Sequence, residues 1–439
     1  MGLTVLLLAG GCAVGPGYQK PKPKLAAAYA DTAGSGDQAV SRVEPGTEAL
    51  RQWWLVFNDP ELNSLIDRAA RGNRDVQRAV SRIREARARR EMVGAGLGPE
   101  VDLSAGYNRG RGSENVQLPF GGGGGGASGG GGPPAGAKAE HAAGGNGAAD
   151  PPADGGGSSR GGAAAVSPFG LGGLPGVTTN LYQVGFDASW EIDVFGGTRR
   201  AIEAAEAGVE AAEEGRRSVL VSLLAEVAGA YLELRTIQER LHIAQENLAA
   251  QRKALGVVEA KAKAGFATDL AVAQEQAQVA TTEAAIPALE SAEQGSRHAL
   301  AFLLGDAPNA LDAELAARAD LPDLPPTVPI GVPSDLLRRR PDIRRAEREL
   351  AQATAGVGVA TADLFPSFSL TGMFGFDSSD VKHLAEWSSR YYSIAPGIHW
   401  PILDWGRIRA NVRVRTEQQQ QAFLVYQQAV SQALKDVAD

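Results

Sequence analysis

The sequence predicts a mixed α and β fold made of two tandem repeats, each a helix, a β-hairpin and a long helix. Three observations predict it. First, the chain is self-similar: a shift of 267 places lays Asp75, Arg78, Ala79, Ala86, Ala88, Ala95, Leu97, Pro99 and Leu103 on Asp342, Arg345, Ala346, Ala353, Ala355, Ala362, Leu364, Pro366 and Leu370 without a gap. A shift of 210 then lays Trp190, Ile192, Phe195, Gly196 and Arg199 on Trp400, Ile402, Trp405, Gly406 and Arg409. Second, the apolar period in each copy changes from 3.6 to 2 after a proline, Pro99 or Pro366, as a helix gives way to strands. Third, Gly197 to Ala262 holds no proline and is rich in Ala, Glu, Arg and Leu, which as one helix would reach roughly 100 Å.

At the N-terminus, residues 1–11 read as a signal peptide and 12–58 as an extended segment. The sole cysteine, Cys12, directly follows the apolar run Leu3 to Ala9 and the small pair Gly10-Gly11. This looks like a lipoprotein signal, with cleavage before Cys12 and then acylation; a buried or incidental thiol is the alternative. No Lys or Arg precedes Cys12, so the true start of the signal is expected upstream of Met1. Ala13 follows, and similarity to bacterial lipoproteins implies that a residue other than Asp there permits transfer to the outer membrane.

The first repeat is expected to hold a helix over 59–95, strands over 99–110 and 178–193, and a helical hairpin over 197–306. The two shifts differ by 57 residues, which measures an insertion in the first copy, seen as the Gly-, Pro-, Ala- and Ser-rich stretch 112–177. Such a composition cannot bury enough apolar surface to offset its ordering entropy, so it reads as a mobile loop. The tip of the hairpin falls near Gly265, which can end a helix in the left-handed conformation, while Thr268 or Asp269 can cap the next helix. A linker, 307–333, leads to the second repeat: a helix over 334–363, strands over 366–376 and 391–403 broken at Pro396, and a helix over 406–439.

The strands alternate. Tyr182, Val184, Phe186, Ala188, Trp190 and Ile192 stand against Gln183, Gly185, Asp187, Ser189 and Glu191. One apolar and one polar face over about ten residues suits a membrane β-barrel, although a soluble two-faced sheet shows the same alternation. Four strands cannot close a barrel, and open edges are not tolerated in lipid, so the membrane reading needs strands from several chains. No run of 18 apolar residues occurs, which leaves no transmembrane helix.

The net charge of −8 and the lack of a clustered basic stretch argue against nucleic-acid binding. One Cys and five scattered His supply no Cys/His metal site. No phosphate-cradling Gly motif and no Ser/His/Asp or paired-carboxylate arrangement stands in a supporting context, so no catalytic residue and no cofactor is expected beyond a covalent lipid on Cys12.

The blocks CAVGPGYQKP (12–21), WWLVFNDPELNSLIDRAARGNRDVQRA (53–79), VPSDLLRRRPDIRRAERELAQATAGVGVATADLFPSFSLTG (332–372) and WPILDWGRIRANV (400–412) resemble the NodT-type outer-membrane lipoproteins of tripartite RND efflux systems. The resemblance implies a homotrimer, a twelve-stranded barrel in the outer membrane continued by an α-helical tunnel through the periplasm, and lipidation at Cys12. It implies a periplasmic adaptor and an inner-membrane proton-driven RND pump as partners, with Gly265, Thr268 and Asp269 at the tip that meets the adaptor. Passive conduction of small molecules, drugs and toxic compounds among them, follows. A type I secretion channel and a periplasmic coiled-coil scaffold are the alternative readings. The chain departs from the family in its long insert, expected to be an extracellular loop, and at its C-terminal end. By the shift of 210, a partner for the Gly265 tip falls at 475, so the helix from 406 is expected to be truncated and the family's inner gate to be missing.

Overall fold

A computed structural model describes residues 13–22, 41–43, 48–111, 177–322, 328–330 and 339–438. The chain divides into two compact units. One comprises Met1–Pro99, Trp190–Leu370 and Pro396–Asp439, and the other Glu100–Ser189 and Thr371–Ala395. Cys12, residues 112–176 of the insert and residues 331–338 lie outside the described residues, and with them the cleavage site, the loop and the expected helix start at 334.

The first unit is helical, with α1 over Pro60–Gly72, α2 over Arg74–Ala95, α3 over Gly197–Lys263, α4 over Asp269–Leu304, α5 over Pro341–Ala362 and α6 over Arg407–Ala438. The 67 residues of α3 form its spine, against which α2, α4 and α5 pack, while α6 packs on α5. The single helix expected over 59–95 is two helices, because Asn73 breaks it. Its backbone is extended (φ −60°, ψ 133°) and its Oδ1 accepts the Asp75 and Val76 amides, so one side chain starts α2 where α1 stops. The Asn73 amide group also donates to the Leu303 carbonyl at 2.8 Å. The ends of α1 and α4 meet there backbone to backbone: a Cβ on Gly72 would lie 2.3 Å from the Leu304 carbonyl oxygen, and Gly305 holds φ at +82°.

Two further expectations need correction. The segment 12–58 is not extended throughout: Ser41–Val43 (β1) pairs in parallel with Val328–Ile330 (β4), and Glu48–Phe57 forms a 3₁₀ helix kinked at Gln52. Its Trp53, Trp54 and Phe57 pack on the main core. Nor is 307–333 a passive linker, since Leu311 and Leu315 are fully buried with Leu62, Leu65, Ile66, Val227, Tyr231, Leu234, Leu300 and Leu304. Their i, i+4 spacing puts both on one side of a turn, facing that core.

A buried polar chain runs beside it. Arg235 donates to the Ala317 carbonyl at 2.9 Å and to Gln238 Oε1 at 2.8 Å. Gln238 donates in turn to Glu293 at 3.0 Å and to the Leu315 carbonyl at 2.8 Å. A buried guanidinium without such partners would be costly, so the contacts that offset its burial, Nε alone keeping no partner among the described residues, dock residues 311–317 onto α3 and α4.

Strands β2 (Glu100–Arg111), β3 (Thr178–Ile192), β5 (Ser367–Ser378) and β6 (Arg390–His399) form one sheet in that order. The strand expected over 391–403 stops at His399, where Pro401 removes an amide donor and restrains Trp400. Pro396, expected to break it, lies within β6. Within this chain's own sheet β6 is an edge strand, where proline is tolerated.

Leu311→Ala is expected to lower unfolding free energy by about 2–5 kcal/mol, against less than about 0.5 kcal/mol for Val257→Ala on the exposed side of α3. Denaturant titration followed by helical circular dichroism in detergent measures both.

Candidate membrane surface, anchor and hairpin tip

The antiparallel register of β2 and β3 sorts their side chains by face. Val101 faces Ala188, Leu103 faces Phe186, Ala105 faces Val184 and Tyr107 faces Tyr182, so one face is an unbroken apolar ladder. The other pairs Asp102 with Asp187, Ser104 with Gly185 and Gly106 with Gln183. Two carboxylates directly opposite one another are tolerable only in water, and Ser104 donates to Asp187 at 2.8 Å. The apolar ladder is not a core. Val101, Leu103, Tyr107 and Phe186 are all exposed, as are Tyr392 and Ile394 on β6. A soluble two-faced sheet buries its apolar face, whereas this one leaves much of it exposed.

Where strands meet helices, the two copies make the same bond. The Trp190 indole donates to the Leu97 carbonyl at 2.9 Å, and the Trp400 indole to the Leu364 carbonyl at 3.2 Å. Both donors and both acceptors are repeat equivalents, so the shifts read from sequence hold in three dimensions. Indoles with one satisfied polar edge and an exposed apolar body suit a membrane–water boundary.

Residues 13–22 are stitched onto α3 and α5 at this corner. Val14 donates its amide to the Phe195 carbonyl at 3.1 Å, and Arg200 donates to the Val14 carbonyl at 3.1 Å. Ala13 lies so close to Gly196 that a Cβ there would fall 2.7 Å from its Cα. Further along, Tyr18 donates to Glu347 at 3.0 Å and Lys20 pairs with it at 2.8 Å, while the Arg348 guanidinium lies 5.5 Å from the Tyr18 ring centre. Glu347 is almost wholly buried on α5. Burial alone would raise its carboxyl, but hydrogen bonds from Lys20, Arg348 and Tyr18 outweigh that and hold it below the usual glutamate range. The residue after Cys12 is therefore fixed four residues past the end of β3.

The hairpin tip brings Gly265, Thr268 and Asp269 into one turn. Gly265 takes φ +81°, its amide donates to the Ala262 carbonyl at 2.9 Å, and the Phe266 amide donates to the Lys261 carbonyl at 2.8 Å. Both bonds satisfy carbonyls that the end of α3 leaves free. Thr268 Oγ1 accepts the Ala271 amide at 3.3 Å and Asp269 opens α4, where the helix dipole favours an acid. Sequence reasoning missed the apolar part of the tip: Phe266 is 84% exposed, with Leu270 exposed beside it. The signal was an aromatic residue between two capping residues.

Among the described residues no group of three or more His, Cys, Asp or Glu could hold a metal ion, and no helix is long and apolar enough to cross a membrane.

The family model described as outer membrane efflux protein matches residues 152–306 and 332–439. Nodulation protein T of Rhizobium leguminosarum bv. trifolii is 28% identical over 98% of this chain and 78% of its own. The probable outer membrane lipoprotein SilC of Salmonella typhimurium is 28% identical over 99% and 80%. The solved outer-membrane channel OprN is 35% identical, covers 97% of this chain and 82% of its own, and superposes with a TM-score of 0.76. With the repeat, the exposed apolar ladder and the paired indoles, these likenesses show that the chain belongs to the outer membrane efflux protein family and is an outer-membrane channel protein of efflux systems.

Proposed function

We propose that three copies of this chain close a twelve-stranded barrel in the outer membrane and line an α-helical tunnel, through which small toxic molecules leave by passive conduction. The observation that carries this reading is the sheet itself: its apolar ladder is largely left exposed, and its polar face carries Asp102 opposite Asp187. The chain supplies a path and no chemistry. The driving force comes from a proton-driven inner-membrane pump, joined through a periplasmic adaptor that docks on the tip at Gly265, Phe266, Thr268, Asp269 and Leu270. A thioether-linked lipid on Cys12 adds a second hold. With Ala13 fixed at the strand-to-helix corner, its acyl chains enter the adjoining leaflet with little slack.

Reconstituted in planar lipid bilayers, the protein is expected to give discrete conductance steps. Phe266→Asp is expected to keep those steps while retaining at least tenfold less adaptor in a pull-down. Extraction without detergent and no conductance would overturn the channel reading; full adaptor retention by Phe266→Asp would move the docking site off the tip.

The Glu347 clamp gives a pH dependence. A carboxyl held below its unfolded value contributes stability above the ordinary glutamate pKa, and that contribution disappears as pH falls through the lower folded value. Glu347→Gln is expected to cost about 1–2 kcal/mol at pH 7 and to speed amide exchange across residues 13–22. Its melting temperature should approach that of the unaltered protein as pH falls below the glutamate range; a difference that stays constant with pH would contradict the clamp.

A further inference from the structure

Residues 17–22 run beside α5 and α6 and enclose with them a cleft of about 710 Å³. That volume lies within the range of about 300–1,000 Å³ typical of small-molecule sites. The cleft faces water: Gln419 and Gln427 stand roughly 18 and 30 Å along α6 from Arg407, at 1.5 Å per residue, well away from the Trp400 boundary.

Its charge is one-sided. Among the described residues, Lys20 and Lys22 line the cleft and no carboxylate does, in a chain whose net charge is −8. Lys20 gives one of its three N–H donors to Glu347 at 2.8 Å, and Glu347 is held from behind by Arg348 as well. Lys22 is exposed and has no ion pair among the described residues.

The floor is rigid and partly unsatisfied. Thr354, 3% exposed, donates to the Leu350 carbonyl at 2.9 Å and accepts from Gln419 Nε2 at 2.9 Å. That fixes the Gln419 side chain, whose carbonyl oxygen has no donor among the described residues. Tyr426 lines the cleft and is 2% exposed, yet its hydroxyl makes no hydrogen bond among the described residues. Burial and the nearby Glu347 carboxylate hold that hydroxyl above the usual tyrosine range, so it keeps a proton to donate. A buried polar group without a partner is an exception that an occupant would explain. Gln419, Phe423 and Gln427 follow at i, i+4 spacing, which puts two amides and an aromatic ring on one face of α6.

We propose that this cleft binds an acidic saccharide of one or two rings. Lys20 and Lys22 take the carboxylate, Tyr426 and the amides of Gln419 and Gln427 bond the hydroxyls, and the Phe423 ring meets the apolar face of a sugar ring. Amides donate and accept, as sugar hydroxyls do. An aromatic acid would leave the amides unmatched, and a neutral sugar would leave the two ammonium groups without a counter-charge. The inference goes beyond conduction, since it needs only residues 17–22, α5 and α6.

The test uses the full-length protein extracted in detergent and three probes: cellobiouronic acid, cellobiose (the same two rings without the carboxylate) and benzoate. Ligand-observed NMR titration is expected to show cellobiouronic acid bound at least fivefold tighter than either of the others. Tyr426→Phe is expected to weaken it at least threefold with no change in melting temperature, because the hydroxyl has no partner in the protein to lose. Lys22→Gln is expected to narrow the preference over cellobiose at least twofold. On binding, amide exchange should slow across residues 17–22 and 419–427 and not at the hairpin tip, 264–269. Equal affinity for the acid and neutral disaccharides, benzoate binding as tightly as the sugar acid, unchanged affinity in both variants, or slowing confined to other residues would each overturn the site.

Discussion

A backbone amide or carbonyl left unpaired in hydrocarbon costs several kcal/mol, and a four-stranded sheet has two rows of them. Here those rows lie along the outer edges of β2 and β6. The apolar ladder from Val101 to Tyr107 commits the sheet to lipid on one face, and the Asp102–Asp187 pair commits the other to water. A sheet so committed cannot end at its own edges. On the proposed reading it is continued by another copy, and the rest of the chain is the means of bringing copies together in one register.

The duplicated plan answers that need. The bond from Trp190 to Leu97 and the bond from Trp400 to Leu364 show the same corner built twice. Between the copies α3 and α5 carry ion pairs, Arg344 with Glu214 and Arg348 with Glu210. Contacts made during folding of one chain can hold charge, because their partners are always present.

The sequence revealed periodic and local features well. The repeat, the alternation in β3 and the break at Gly265 follow from spacings of 2 and 3.6 residues and from one left-handed glycine. What escaped was of two kinds. Some features hide inside a continuing period: α1 and α2 both lie on α3, so the apolar spacing runs on across Asn73, and only the Gly72-Asn73 pair marked the break. Pro396 misled because β6 lies at the edge of the chain's own sheet, where proline is tolerated. Others depend on partners far apart in the chain. Glu347 meets Tyr18 across 329 residues, and Leu311 and Leu315 look like linker residues until α1, α3 and α4 close over them. Of the sites, the tip residues stand together as expected, but the exposure of Phe266 needed coordinates.

The central claim is that one chain is an incomplete wall. The most direct measurement is the mass of the protein extracted in detergent from outer-membrane fractions, by light scattering before and after heating. The account requires a particle of three copies that falls to a single copy on heating. A stable single copy before heating, fully active in conductance, would contradict it.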